Sequence, residues 1–130
     1  MPTAPNIFSI SGAVISAIGW DLGCTNYRAQ ATFPDDAAAF QGHFPGEPIV
    51  PGFLLLELVP EILGACGQPC VYASIEMARF LLPVRPREVL HLQIILTGIG
   101  DNRMQCQVMM RHKDQLVSEL CAVLTGCQNG

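Results

Sequence analysis

The sequence has few charged residues, and its positive charges are scattered. Asp, Glu, Lys and Arg make up 14% of the 130 residues, with seven basic against eleven acidic side chains and a net charge of −4. Globular proteins average about 25% charged residues. Without a basic cluster, binding to nucleic acid or to an anionic membrane surface is disfavoured. Because half of the residues are hydrophobic, we expect one domain over residues 1–130 that hides further apolar surface in a homo-oligomer.

The sequence also lacks paired cysteines and a basic leader. Its six cysteines form no Cys-x-x-Cys pair, and its three histidines are scattered, so neither a zinc site nor a disulfide framework is expected. A reducing, cytoplasmic setting fits this pattern best. No Lys or Arg precedes Arg28, so the apolar residues 7–18 lack the basic start of a secretory signal peptide. No stretch reaches the length of a transmembrane helix.

One long helix is predicted over residues 51–66. Pro51 suits the first helical position, because its φ is preset and its missing N–H is not needed there. The residues that follow are apolar nearly all round, so we expect the helix to be buried on every side. Pro60 removes the N–H that would bond to the Leu56 carbonyl, which predicts a kink. Gly64 and Gly67 should end the helix.

Strands are predicted on both sides of this helix. Residues 7–20 favour one or two strands, and residues 25–33 another. After the helix, residues 70–82, 89–96, 104–110 and 116–125 have strand-like composition or alternation and are joined mostly by short turns. The most economical architecture is α+β, with a curved antiparallel sheet wrapped around a long central helix.

The chemistry is concentrated in residues 40–57. His43 lies in a loop stiffened by prolines and glycines, and a histidine is the usual general base near neutral pH. Gly52 begins the helix, where free N–H groups and the helix dipole favour a developing negative charge. Glu57 is a lone carboxylate in an apolar run and would serve as a general acid, or orient a water molecule, in a cleft. Together these groups could remove a proton α to a carbonyl and expel a β-hydroxyl.

Plainer interpretations stay open for each residue. A single loop histidine is usually a solvated surface group, which is the alternative for His43. Glu57 could pair with an arginine such as Arg79, or contact water at an interface.

The sequence of this region resembles a known family. Gly-His-Phe-Pro-Gly-x-Pro-x-x-Pro-Gly-x-x-x-x-Glu is similar to the signature of 3-hydroxyacyl-[acyl-carrier-protein] dehydratases of the FabZ/FabA type, and His43 and Glu57 have the family's spacing of 14 residues. A second block, Ala78-Arg79-Phe80 followed by Pro83-Val84 and Pro86, looks like another family motif. The resemblance covers roughly residues 25–125.

The resemblance implies a hot-dog fold and a dimer joined edge to edge, with each active site shared between two chains. His43 would be the base, Glu57 of the partner subunit the acid, and the Gly52 N–H the donor to the substrate carbonyl. No metal or dissociable cofactor is implied. The acyl chain would enter a tunnel of apolar residues, and the pantetheine arm of acyl carrier protein would lie along the dimer groove. The substrate-binding residues implied are Phe44, Pro51, Phe53, Glu61, Arg79 and Phe80.

Three further expectations accompany the resemblance. Because acyl carrier protein is acidic, a basic docking patch is expected, drawn from Arg79, Arg85, Arg87, Arg111 and Lys113; the alternative is that these are scattered charges that only aid solubility. Glu61 stands where the family usually has Gln, and the family's Pro-His-Arg-x-Pro-Phe segment is absent from this sequence. The competing functions are a hot-dog acyl thioesterase and a non-catalytic, acyl-carrier-binding partner of another dehydratase.

Overall fold

The computed structural model describes residues 2–9, 12–37, 40 and 48–126. It contains one long helix, α1 (Gly52–Ala65), and eight strands. The strands are β1 (Thr3–Ala4), β2 (Ile7–Phe8), β3 (Val14–Trp20), β4 (Asn26–Thr32), β5 (Cys70–Phe80), β6 (Val89–Gly100), β7 (Arg103–His112) and β8 (Gln115–Gly126). The predicted helix and the four long strands after it are confirmed. The short strand β1 was not predicted. The loop that carries His43 falls outside the described residues.

The strands form a single antiparallel sheet in the order β1-β3-β4-β6-β7-β8-β5, with β2 also paired to β3. Consecutive strands β6, β7 and β8 are joined by tight turns at Asp101–Asn102 and Lys113–Asp114, where all four residues have positive φ. Strand β5 follows the helix and pairs only with β8 among the described strands, so it lies at the end of the sheet. This α+β arrangement is the hot-dog fold.

The core lies between one face of α1 and the inward face of the sheet. Helix residues Leu55, Leu58, Val59, Ile62 and Leu63 are buried. Facing them, alternate residues of β6 and β7 are buried, as their pattern predicted: Leu90, Leu92, Ile94, Leu96, Cys106, Val108 and Met110. Burial of each large aliphatic side chain contributes about 1.5–3 kcal/mol.

The prediction that α1 is buried on every side is wrong for the single chain. Phe53 is 59% exposed, and Glu57 and Gly64 are also exposed. These positions recur at helical spacing and mark one open face of the helix, opposite the residues that pack on the sheet. The helix is therefore apolar all round, but one chain covers only part of it. Among the described residues, no helix has the length and apolar character needed to cross a membrane.

Helix α1 ends as predicted and accommodates Pro60 without interruption. At its C-terminus Gly67 has φ +84°, and the N–H groups of Gly67 and Gln68 donate to the carbonyls of Gly64 (3.1 Å) and Leu63 (2.8 Å). This is the Schellman motif that glycine favours. The Leu56 carbonyl, which has no N–H partner at Pro60, instead accepts a hydrogen bond of 2.6 Å from the Tyr72 hydroxyl on β5. A kink at Pro60 stays a prediction.

Candidate active site

The N-terminus of α1 has backbone N–H groups without a partner among the described residues, and it lies beside an apolar cavity. Pro51 is the N-cap residue, without a side-chain hydrogen bond to the helix start, and no acidic residue lies in the first turn. The N–H groups of Gly52 and Phe53 precede the first intrahelical donor, Leu54, which bonds to the Pro51 carbonyl at 3.0 Å. The positive end of the helix dipole is thus not neutralised by a side chain of this turn.

Gly52 and Phe80 come from the two motif blocks of the sequence and are in contact. A Cβ atom on Gly52 would lie 2.8–2.9 Å from three ring atoms of Phe80, closer than such atoms approach. The missing side chain therefore lets the Phe80 ring cover the start of the helix. Phe80 is the last residue of β5 and is 48% exposed, so the ring has space to move on its outer side.

A cavity of about 210 Å³ adjoins this contact. The described residues that line it are all apolar: Ile49, Val50, Gly52, Leu55, Phe80, Leu81, Leu82, Pro83 and Val84. The N–H of Val50 donates to the Val84 carbonyl at 2.9 Å, which ties the segment before the helix to the segment after β5. An acyl chain is the kind of group that such walls would accept.

Glu57 lies on the open face of α1, one turn after Phe53. Its side chain is exposed and has no ion pair within the described part of the chain. The alternative that Glu57 pairs with Arg79 is not supported, because the Arg79 guanidinium instead contacts the Glu119 carboxylate at 3.3 Å. Arg79 and Phe80 are neighbours on a strand and point to opposite faces of the sheet, which puts Arg79 on the outward face.

Glu61 follows Glu57 by four residues and is therefore its neighbour on the helix surface. The two carboxylates differ in environment. Glu57 is exposed, whereas Glu61 is half-buried and its Oε2 atom is fully buried. The helix thus presents two acids of unequal accessibility on adjacent turns, and the exposed one is free to meet a ligand from outside the chain.

The sequence-predicted site residues fall into three groups. Pro51, Gly52 and Phe80 meet at the mouth of the apolar cavity, and Phe53, Glu57 and Glu61 lie along the helix that starts there. Arg79 lies on the outward face of the sheet, away from this cavity. His43 and Phe44 are outside the described residues, so their roles stay predictions.

Tyr72 is a residue of this region that the sequence did not indicate. Burial raises the pKa of its hydroxyl well above its ordinary value, with smaller contributions from Cys106 and Cys70. It therefore stays protonated as the donor to Leu56. No sequence pattern could have paired a strand tyrosine with a helix carbonyl, because the contact depends on how β5 packs on α1.

Two of the five residues expected in the basic patch form ion pairs. Arg79 contacts Glu119, and the Arg87 Nε lies 3.3 Å from the Asp35 carboxylate. Both pairs are exposed, so each contributes little to stability. A role of these residues and of Arg85, Arg111 and Lys113 in docking a carrier protein stays a prediction.

Comparison with known proteins identifies the family. The family model described as ApeI-like, ApeI dehydratase, matches residues 23–120, which is most of the chain and includes both motif blocks. The chain belongs to the ApeI-like dehydratase family. This confirms the resemblance to dehydratases of the FabZ type.

Curated relatives of this dehydratase family member are FabZ proteins. The 3-hydroxyacyl-[acyl-carrier-protein] dehydratase FabZ of Chloroflexus aggregans is 39% identical over 93 residues, covering 62% of this chain and 61% of the relative. That of Syntrophobacter fumaroxidans is 36% identical over 91 residues, covering 62% and 60%. The FabZ of Chlamydia pneumoniae is 28% identical over 116 residues, covering 82% and 76%. The matched region thus spans about three-fifths of the length of the first two.

Solved structures of similar fold include both dehydratase and other proteins. A chain of the dehydratase heterocomplex ApeI:P from Xenorhabdus doucetiae aligns with a TM-score of 0.65 at 20% identity, covering 95% of this chain and 99% of that one. The E. coli PaaI protein from the phenylacetic acid degradation operon aligns with a TM-score of 0.66 at 16% identity, covering 88% and 80%. At these identities the likeness establishes the hot-dog fold alone.

Proposed function

We propose that this protein removes water from a 3-hydroxyacyl thioester carried on acyl carrier protein and yields the trans-2-enoyl thioester, in fatty-acid or related lipid biosynthesis. The observation that carries the proposal is the contact between Gly52 and Phe80 at the start of α1. It joins the first N–H groups of the helix, which precede its first intrahelical donor, to an apolar cavity of about 210 Å³. An acyl chain needs the cavity, and the thioester oxygen needs the donors.

In the proposed reaction His43 takes the proton from C2 of the substrate. The electron pair of that C–H bond forms the C2=C3 double bond, while charge that develops on the thioester oxygen is stabilised by the Gly52 N–H. Removing one such donor from an oxyanion site typically costs about 2.7–4 kcal/mol. The C3–O bond breaks, and protonated Glu57 gives its proton to the leaving hydroxyl, so that one water is released. A proton then returns from His43 to Glu57 through solvent.

The functional unit that we propose is a homodimer joined through β5. Ten large apolar side chains are exposed among the described residues, and six of them belong to α1, β5 and the segment after β5: Phe53, Val71, Ile75, Phe80, Leu81 and Leu82. Strand β5 also ends the sheet, with free backbone groups that a second copy could pair. Such pairing would cover the open face of α1 and bring His43 of one chain towards Glu57 of the partner subunit.

The test is the product formed from (3R)-3-hydroxybutanoyl acyl carrier protein, followed by mass spectrometry of the intact carrier. We expect loss of one water from the acyl group, and the reverse addition when crotonoyl carrier is supplied. Release of the acyl group as free acid, with a new thiol on the carrier, would instead identify a thioesterase. No turnover across several acyl chain lengths would favour a non-catalytic partner subunit.

A further inference from the structure

The outward face of the sheet carries a groove across β4, β6 and β7, on the side away from α1. The inward residues Ala29, Leu92 and Met110 of these strands are buried, so their sequence neighbours point outward. The groove has a volume of about 300 Å³, and its outward lining residues include Arg28, Gln30, His91, Gln93, Met109 and Arg111. The volume suits a small ligand.

Cross-strand register brings the basic residues of the groove together. His91 is directly opposite Arg111 on β7 and opposite Gln30 on β4, and Arg28 is two residues before Gln30. Opposed side chains on one face of a sheet have Cβ atoms about 4.5–5.5 Å apart. His91 and Arg111 are therefore neighbours, and Arg28 is on the adjacent strand. All three side chains are exposed.

The acid that faces this groove in the strand register is Glu119, opposite Met109 on β8. Within the described part of the chain, the groove lining contains no Asp or Glu, although acidic residues outnumber basic ones eleven to seven in the sequence. Arg79, on the same outward face, forms an ion pair with Glu119 at 3.3 Å, so this acid is already engaged. The Arg111 guanidinium lies 3.6 Å from the Met109 sulfur. The groove is thus a local region of positive potential in an acidic protein.

A β-bulge in β3 shapes one wall of the groove. The register passes from Ser16 opposite Gln30 to Gly19 opposite Arg28, so β3 has an extra residue here. Ala17 takes up the irregularity with φ +52°, an unfavourable conformation for a residue other than glycine. Ala17 and Arg28 also line a second cavity of about 520 Å³ next to the first. Bulges and strained residues are often found beside binding sites.

We propose that this groove is a second binding site, which takes the phosphate group of a phosphorylated small molecule. The planar guanidinium groups of Arg28 and Arg111 can each donate two hydrogen bonds to phosphate oxygens. The imidazole of His91 lies between the two strands that carry them. The Met109 and Ala17 side chains offer an apolar wall for the remainder of the ligand.

This site is independent of the proposed active site. It lies on the opposite face of the sheet from Phe80 and α1, and β8 separates β7 from the β5 edge. Dimerisation through β5 would leave the groove open. If the dehydratase proposal fails, the phosphate-site proposal can still hold. If the phosphate-site proposal fails, the dehydratase proposal can still hold.

Phosphate binding can be measured by titrating the full-length protein with inorganic phosphate at constant ionic strength in a phosphate-free buffer. Backbone amide shifts in ¹H–¹⁵N spectra should move at residues 28–30, 91–93 and 109–111. Each arginine contributes charge-assisted hydrogen bonds worth about tenfold in affinity. The double variant Arg28→Gln/Arg111→Gln should therefore raise the half-saturating phosphate concentration by at least about tenfold.

The matched control is Arg85→Gln/Arg103→Gln, which removes the same charge from two exposed positions outside the groove. It should change the half-saturating concentration less than about twofold, as expected for loss of distant screened charge. Equal weakening by both double variants, or shifts of the same size when chloride replaces phosphate, would show only non-specific attraction and overturn the proposal. Unchanged binding in Arg28→Gln/Arg111→Gln would overturn it as well.

Discussion

The Tyr72 hydroxyl donates a 2.6 Å hydrogen bond to the carbonyl of Leu56, the helix carbonyl that Pro60 leaves without an N–H donor. A strand side chain thus replaces the missing backbone bond and ties α1 to β5. Pro60 removes one backbone hydrogen bond from α1, and the Tyr72 hydroxyl supplies a replacement donor from outside the helix.

Removing the Tyr72 hydroxyl should show how much this hydrogen bond contributes to the free energy of unfolding. Tyr72→Phe is expected to lower the free energy of unfolding by about 1–2 kcal/mol, because a half-buried carbonyl loses its donor. In a Pro60→Ala background residue 60 regains its N–H, so the same change should cost about 1 kcal/mol less. Urea unfolding of the four proteins measures this cycle. Equal costs of Tyr72→Phe in both backgrounds would show that the hydroxyl does not substitute for the lost bond.

Gly52→Ala should move the Phe80 ring without unfolding the protein. The new Cβ would meet the end of a half-exposed ring at 2.8–2.9 Å, and the ring can swing outward. We expect a change in the melting temperature of only a few degrees, equivalent to about 1 kcal/mol. The displaced ring alters the cavity mouth, so kcat/KM for dehydration should fall about tenfold, the effect of a misplaced binding group worth about 1.4 kcal/mol.

Gly98→Ala is the control for this change, because nothing lies within 4 Å of a Cβ placed there. Its kcat/KM should equal that of the wild type. If Gly52→Ala is as active as Gly98→Ala, the close approach of Phe80 to the helix start has no functional role.

Charge at the β5 edge should weaken self-association. Ile75 on β5 is 45% exposed, and Ile99 near the β6–β7 turn is 49% exposed, so the two provide a matched pair. A lysine on a sheet edge opposes pairing with another chain. Ile75→Lys is expected to shift the mass in sedimentation or light scattering towards the monomer, while Ile99→Lys keeps the wild-type mass. A dimer that survives Ile75→Lys, or that is lost equally in both variants, would argue against pairing through β5.

Stability should fall in alkaline solution. Burial, with lesser effects of Cys70 and Cys121, raises the pKa of the Cys106 thiol from 9.0 to about 12. Between these values the unfolded chain releases a proton that the folded chain retains, so the unfolded state binds fewer protons and the free energy of unfolding decreases as pH rises. One such group contributes a slope of about 1.4 kcal/mol per pH unit.

The slope can be measured from urea unfolding between pH 9 and pH 11. Cys106→Ala will be less stable at every pH because it leaves a small cavity, but its slope should be shallower than that of the wild type. Burial raises the pKa of Cys66 in the same direction, to about 11, so some slope should remain. Parallel curves for the wild type and Cys106→Ala would exclude a contribution from this thiol.

The helix and the long strands could be predicted because their signals are local. Period-two alternation in β6 and β7, and the Pro51 and Gly67 boundaries of α1, depend on residues close in sequence. The open face of α1 was mispredicted because Phe53 and Glu57 occur in an apolar run whose burial depends on what packs against it. The contacts of Phe80 with Gly52 and of Tyr72 with Leu56 join segments on different elements. Periodicity carries no information about such contacts, although the family resemblance assigned both Gly52 and Phe80 to the site.

The most direct test of the dehydratase mechanism is complementation between two inactive variants. His43→Ala and Glu57→Gln should each lower the hydration rate of crotonoyl acyl carrier protein by at least about a hundredfold, as loss of a general base or acid does. Mixing the two purified variants under subunit exchange should restore part of the activity, because each mixed dimer would contain one intact His43–Glu57 site formed across the two chains. Normal turnover by His43→Ala alone, or activity in the mixture no greater than in the separate variants, would contradict the shared-site mechanism.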